Sequence, residues 1–355
     1  MERPGRMGVL GYAARSARAP LAPYRFERRS PRADDVVVDI TYCGVCHSDL
    51  HQVRDDWGGS SYPMVPGHEI VGSVAGVGGR VTRLDQGDSV GVGCMVDSCR
   101  RCPACRRGLE QYCRSGPTFT YNDTDPRDHL PTYGGYSERI VVPERFVVKL
   151  PRRIDPKGAA PLLCAGITTW SPLRRWGAKK GTSVGVVGLG GLGHMALKLA
   201  DALGADVTLF TRSPGKEKDA RRLGADRVVV STDPAQMKSV EGECDLILDT
   251  VPYAHDINRY FPAMSTDGTL VMLGLLGDVQ GTVNTVPLVM GRKSVAGSVI
   301  GGIPETQELL DFCARRGVAA DVEAIRIQEV NEAYERMLRS DVRYRFVIDM
   351  ASLRA

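Results

Sequence analysis

No stretch of this 355-residue chain reaches the roughly 18 consecutive apolar residues that a membrane-crossing helix needs, which excludes a helical span. Charge of one sign is missing too. The 46 basic residues face 42 acidic ones, a formal net +4, and no block of five or six like charges occurs. That balance argues against a dedicated nucleic-acid binder. Gly 40 and Pro 21 fall short of a disordered or collagen-like composition, and there are no repeats or low-complexity stretches. The opening MERPGRMGVLGYAARSARAP has no apolar core followed by a small-residue cleavage site. Arg15 and Arg18 hint at organelle import, but the segment reads better as the first strand and turn of a fold. A cytoplasmic, reducing setting is expected.

What the chain does have is length and thiols. Its size exceeds what one hydrophobic core usually supports, so two domains are expected. Of ten cysteines, Cys99, Cys102, Cys105 and Cys113 crowd into one short run, while Cys43, Cys46, Cys94, Cys164, Cys244 and Cys313 are scattered. In a reducing compartment, clustered thiols point to metal rather than to disulfides.

The first 150 or so residues read as short strands broken by turns: VVVDITYC from Val36, IVGSVAGVG from Ile70, SVGVG from Ser89 and ERIVVPERFVVKL from Glu138. An all-β or α+β domain is expected there. From Thr182 onward apolar strands alternate with helical patterns (SVGVVG, HMALKLADALG, DVTLF, KEKDARRLG, RVVVS, CDLILDTV, a helical stretch Asp256 to Met264, GTLVMLG), the rhythm of a doubly wound parallel sheet in an α/β fold. Two helices, PETQELLDFCARRG and NEAYERMLRSD, and a last strand, RYRFVIDM, are expected to rejoin the first domain.

Gly188, Gly190 and Gly193 spell G-x-G-x-x-G between an apolar strand and an alanine- and leucine-rich helix. In that context the glycines allow a tight turn and a close backbone approach to a pyrophosphate, with Gly191 and Leu192 in the same loop. The end of the next strand lacks the acidic residue that usually bonds an NAD ribose, since Asp206 lies at its beginning. Thr211, Arg212, Ser213 and Lys216 stand there instead, two hydroxyls and two cations suited to a 2′-phosphate, so NADP(H) is the expected cofactor.

Cys99, Cys102, Cys105 and Cys113 are enough to close a tetrahedral zinc, which leaves no position for substrate and implies a structural role. Arg100, Arg101, Arg106 and Arg107 beside them suggest a zinc knuckle on nucleic acid, but read better as a solvated face. Cys46, His68 with Glu69, and Cys164 are far apart in sequence, and spacing alone does not bring them together. Singly, Cys164 reads as a buried small hydrophobe and His68 as a satisfied core histidine.

The motifs YCGVCHSDLHQ, YPMVPGHEIVG, GDSVGVGCMVDSCRRCPACRRGLEQYC, TYGGYSE, PLLCAGITTWSPL, GLGGLGH, GGIPETQELLDFCA and VNEAYERML together resemble the medium-chain zinc-dependent alcohol dehydrogenases. Within them the chain resembles the cinnamyl alcohol dehydrogenase-like branch, over essentially its full length. The resemblance implies a GroES-like catalytic domain (residues 1–162 and 300–355) and a Rossmann domain (residues 163–299). It implies two zinc ions per chain, a catalytic one on Cys46, His68 and Cys164 with Glu69 as an occasional fourth ligand, and a structural one on the four-cysteine run. Asp49 would hold His68 in one tautomer, Ser48 would touch the substrate oxygen, and His51 would end a proton relay. Thr168 and Thr250 would contact the cofactor, and Trp57, Phe119 and Val299 would line an apolar substrate pocket. Lignin-forming plant members tend to carry tryptophan at the position of Phe119 and phenylalanine at that of Val299, so a roomier site is expected.

The implied reaction interconverts primary alcohols and aldehydes, of aromatic or allylic type, by hydride transfer with NADP(H). The alternative on the same fold is reduction of activated C=C or iminium bonds, and Ser48 with His51 favours the first. A non-catalytic NADPH-binding or zinc-scaffold protein would lack a complete ligand set. The segment TVPLVMGRKSVAGSVIGG resembles the pairing surface of the family, which implies a homodimer; a small-molecule alcohol or aldehyde is the expected substrate, with no nucleic acid and no membrane as partner.

Overall fold

Strand Asp35–Val45 is the spine of a seven-stranded sheet. Val36, Val37, Val38 and Ile40 are buried, so both faces of the strand are covered. It pairs antiparallel with Ile70–Val77, with Arg139–Pro143 and with Arg345–Asp349. The sheet continues through Ser89–Val92 to Val148–Lys149 on one side and ends at Val322–Arg326 on the other. A partner for the spine thus comes from the far end of the chain. These coordinates are a computed structural model that describes residues 6–274 and 276–354, so the first five residues of the opening segment lie outside the described residues. The remainder of that segment does begin with a strand, Arg6–Ala13, paired with Ala22–Arg29.

The chain divides into two units. One runs to Cys164 and resumes at Gly301, and the other is Ala165–Ile300. The divisions fall after Cys164 and Ile300 rather than after residues 162 and 299, so Cys164 belongs with the first unit. The cause is local. The 3-10 turn Ala160–Leu163 packs on the first sheet, where a Cβ on Gly91 would come within 3.0 Å of Leu163.

The second unit is a six-stranded parallel sheet in the order Arg227–Val230, Asp206–Thr211, Ser183–Val187, Cys244–Asp249, Met264–Met272, Ser294–Gly297. This is the Rossmann order, with its switch point beside Ser183–Val187, and its central strands are continuously apolar because both faces are covered. Helix Gly191–Ala202 follows the central strand directly.

Two sequence expectations are corrected. The stretch from Asp256 to Met264 holds only the 3-10 turn Ile257–Tyr260 before a strand begins at Met264, because Pro262 has no N–H to continue a helix. ERIVVPERFVVKL is two strands, Arg139–Pro143 and Val148–Lys149, separated at Pro143 by the 3-10 turn Glu144–Phe146. Among the described residues no helix is long and apolar enough to cross a membrane.

Candidate active site and metal centres

Cys46 caps the helix His47–Arg54 as it leaves the spine strand, and Cys164 directly precedes helix Ala165–Arg175. Both sulfurs therefore sit at helix N-terminal ends, where thiolate is favoured. His68 and Glu69 come from the loop that enters strand Ile70–Val77. That loop turns at Gly67, whose φ is +102 and whose Cβ would lie 2.6 Å from the Tyr136 ring and 2.8 Å from the Cys43 sulfur. A side chain there would be strained at that φ and would press on the Tyr136 ring and the Cys43 sulfur.

The ligand atoms of Cys46, His68, Glu69 and Cys164 all lie within 4.8 Å of one another, and all four residues are buried. The Cys46 and Cys164 sulfurs are 4.0 Å apart. A tetrahedral zinc with Zn–S of about 2.3 Å needs a sulfur separation near 3.8 Å, so the donor set and its spacing fit that ion. Asp49 organises the site. Its carboxylate accepts from the Cys46 N–H at 2.9 Å, the Gly67 N–H at 3.0 Å and the Tyr136 hydroxyl at 3.3 Å, and it lies 3.1 Å from His68 Nδ1. The far ring nitrogen is thereby left to face the sulfurs. Tyr121 stacks on the His68 ring at 5.8 Å between centroids.

One contributor escaped the sequence reading. Arg345, 4% exposed, donates to Glu69 and lies 3.8 Å from the Cys46 sulfur. Burial pushes the Glu69 carboxyl up, to about 8, against the attraction of that guanidinium. Glu69 Oε2 and Arg345 Nε are buried without a hydrogen-bond partner, as expected of a carboxylate with a second binding option. The Cys46 thiol is held well below its ordinary range, first by the proton it shares with Cys164 and then, against burial, by Arg345. Cys164 is raised for the converse reason. The only sequence signal for Arg345 is that it is one of two cations, with Arg343, opening an apolar strand.

Ser48 Oγ is 3.7 Å from the Cys46 sulfur, and His51 Nδ1 is 2.9 Å from Asp56 on a partly open surface beside Trp57. Trp57, Phe119 and Val299 are exposed at 42%, 47% and 43%. Trp57 and Phe119 belong to the first unit and Val299 to the second, so neither unit by itself gathers the three into a pocket.

The second cluster is local. Cys99, Cys102, Cys105 and Cys113 have their sulfurs within 4.8 Å of one another around the single-turn helix Pro103–Arg106. Cys99 and Cys105 are 3.9 Å apart, Cys102 and Cys105 3.5 Å, and the Cys99 N–H donates to the Cys113 sulfur. Backbone N–H groups pull Cys102 down to about 6, while burial pushes Cys105 up to about 12. Four thiolates with backbone donors fit a closed zinc site. Of the neighbouring arginines, Arg100 is spent on Asp97 and Asp34.

In the second unit, Gly188 turns at φ +88, and a Cβ on Gly193 would strike the Gly188 carbonyl oxygen at 2.1 Å. Gly190 caps helix Gly191–Ala202, and Gly191 and Gly193 stand in its first turn. Thr250 ties the loop down through Oγ1 to the Val187 carbonyl at 2.7 Å. Lys216 Nζ donates to the Leu189 carbonyl at 3.0 Å, and Arg212 is exposed. Thr211 is buried at the end of strand Asp206–Thr211, and its hydroxyl accepts from the Ser213 N–H. Thr168 is buried in helix Ala165–Arg175.

Residues 32–152 match the family model of the alcohol dehydrogenase GroES-like domain, and residues 191–315 that of the zinc-binding dehydrogenases. The chain belongs to the zinc-dependent medium-chain alcohol dehydrogenases. It lies in their cinnamyl alcohol dehydrogenase-like branch. Among relatives of this alcohol dehydrogenase, aldehyde reductase YahK of Escherichia coli is 51% identical over 98% of this chain and 99% of that protein. NADP-dependent alcohol dehydrogenase C of Mycobacterium tuberculosis is 51% identical over 97% and 99%. Solved structures similar to it include a cinnamyl alcohol dehydrogenase of Sorghum bicolor (44% identity, TM-score 0.93, 97% and 98% covered). Another is CAD from Helicobacter pylori complexed with NADP(H) (38% identity, TM-score 0.91, 98% and 99% covered).

Proposed function

We propose that this enzyme interconverts primary alcohols and aldehydes with NADP(H) at the Cys46, His68 and Cys164 site, with Glu69 as the exchangeable fourth ligand. The carrying observation is the convergence of four buried donor atoms within 4.8 Å, from residues that span 119 positions of the chain, 46 to 164. Zinc held there supplies a Lewis acid for a carbonyl or alkoxide oxygen. The protein's own part is to hold it and to move a proton. Asp49 fixes the His68 tautomer, and Arg345 holds Glu69. Ser48, whose hydroxyl lies 3.7 Å from the Cys46 sulfur, is the first station of that proton, and His51, hydrogen-bonded to Asp56 and partly open to water, is its exit.

Arg212 and Lys216 support NADP(H) over NAD(H), because neither has a carboxylate partner among the described residues. The four-cysteine cluster supports a second, structural zinc. Trp57 and Phe119, large apolar side chains left exposed on the first unit, support an aromatic or allylic aldehyde as substrate. Helix Val286–Gly291 exposes Val286, Val289 and Met290 at 64%, 76% and 82% beside the sheet-edge strand Ser294–Gly297, which supports a homodimer.

Metal analysis with an NADPH oxidation assay over an aldehyde panel tests the reading. Two zinc ions per chain and conversion of cinnamaldehyde to cinnamyl alcohol are expected. Formation of the saturated aldehyde instead would transfer the assignment to C=C reduction. Sedimentation at one subunit mass would remove the dimer.

A further inference from the structure

Arg212 stands just past the carboxyl end of strand Asp206–Thr211 as an exposed cation with no carboxylate partner among the described residues. A surface arginine of this kind normally samples many rotamers. Here it is held. Its Nη2 donates to the Tyr253 hydroxyl at 2.5 Å, and its guanidinium carbon lies 5.3 Å from the centre of the Tyr253 ring. Tyr253 is held in turn. His255 Nδ1 is 2.9 Å from the Tyr253 carbonyl oxygen, and Nε2 is 2.8 Å from Oδ2 of Asp249, the fully buried last residue of strand Cys244–Asp249. Both partners of the ring are acceptors, so both bonds form at once only when both nitrogens carry a proton. The Tyr260 ring, edge-on at 6.3 Å, closes one side of the imidazole.

The choice of a phenol has a physical meaning. A carboxylate in its place would orient Arg212 equally well but would cancel its charge and repel an incoming phosphate. A neutral hydroxyl orients without cancelling. Lys216 is held by the same logic, on the neutral Leu189 carbonyl of the glycine loop. Two cations are thus fixed in place with their charge intact.

We propose that Tyr253 is a positioning residue for cofactor specificity. Seated by the Asp249–His255 pair, it sets the Arg212 guanidinium to receive the 2′-phosphate of NADP(H). The proposal rests on the NADP(H) reading above.

The test titrates the zinc-loaded full-length enzyme with adenosine 2′,5′-bisphosphate and with 5′-AMP, which differ only in the 2′-phosphate. The wild type is expected to prefer the bisphosphate. Tyr253→Phe, which keeps the ring and loses the hydroxyl, should weaken bisphosphate binding about fivefold and change 5′-AMP by less than about twofold. Tyr253→Ala, losing the ring as well, should weaken bisphosphate binding further, by about tenfold or more in all, through the lost cation–π contact. In turnover, Tyr253→Phe should raise KM for NADPH with kcat unchanged. Equal weakening of both nucleotides would make Tyr253 a mere adenine platform and overturn the proposal. A wild type that discriminates together with an unaffected Tyr253→Phe would overturn it while leaving the NADP(H) reading intact. A wild type blind to the 2′-phosphate would overturn both.

Discussion

The two candidate metal clusters differ in how the chain assembles them. Cys99, Cys102, Cys105 and Cys113 lie within one short lobe, with Cys99 and Cys102 partly exposed and backbone N–H groups on the sulfurs. Cys46, His68, Glu69 and Cys164 are drawn from three separate segments, are all buried, and share their space with the Arg345 guanidinium. The local cluster offers only thiolates and no opening. The assembled one mixes sulfur, nitrogen and a carboxylate already engaged elsewhere, so one position can exchange. Locality suits a site that must stay closed. Assembly from distant segments suits one whose ligands must respond to their surroundings.

That contrast is open to attack in four places. Cys164→Ser should lower kcat by about 10³-fold or more with the melting temperature nearly unchanged. An equal loss of stability would erase the distinction. Arg345→Met should lower stability in urea unfolding most clearly above about pH 8, where the Glu69 carboxyl ionises beside the guanidinium in the wild type and would be buried without a counter-charge in the variant, and Glu69→Gln in the same background should recover part of it. No recovery would mean that the pair does not couple. Cys102→Ser should lower the melting temperature by about 10 °C and leave kcat per folded enzyme within about twofold. His51→Gln should reduce kcat by about tenfold and be rescued by imidazole buffer, since the relay ends at solvent. The same buffer should do nothing for Cys102→Ser.

Legibility followed the same division. The four-cysteine run and the G-x-G-x-x-G loop are local, so their chemistry was readable from spacing, and the alternation of strands and helices around the loop disclosed the parallel sheet. The meeting of Cys46, His68 and Cys164 is a tertiary event that no spacing encodes, and it was expected only through family resemblance. Arg345 read as one more strand residue, because nothing in RYRFVIDM says that its cation faces a buried glutamate 276 positions earlier. The expected helix from Asp256 to Met264 was overruled by Pro262. Tyr253 and His255 left no motif at all, as their roles come from what stands opposite them.

The pairing of strand Arg345–Asp349 with Asp35–Val45 also bears on the order of events during synthesis. The Rossmann unit is a continuous segment, so it is complete while the last strand of the catalytic sheet is still unmade. Glu69 then waits without its counter-ion until almost the whole polypeptide has emerged. Strand pairing across so long an interval is slow. The nascent enzyme should therefore acquire its cofactor fold first and its chemistry last, and a ribosome stalled before residue 345 should carry a folded nucleotide unit but no competent active site.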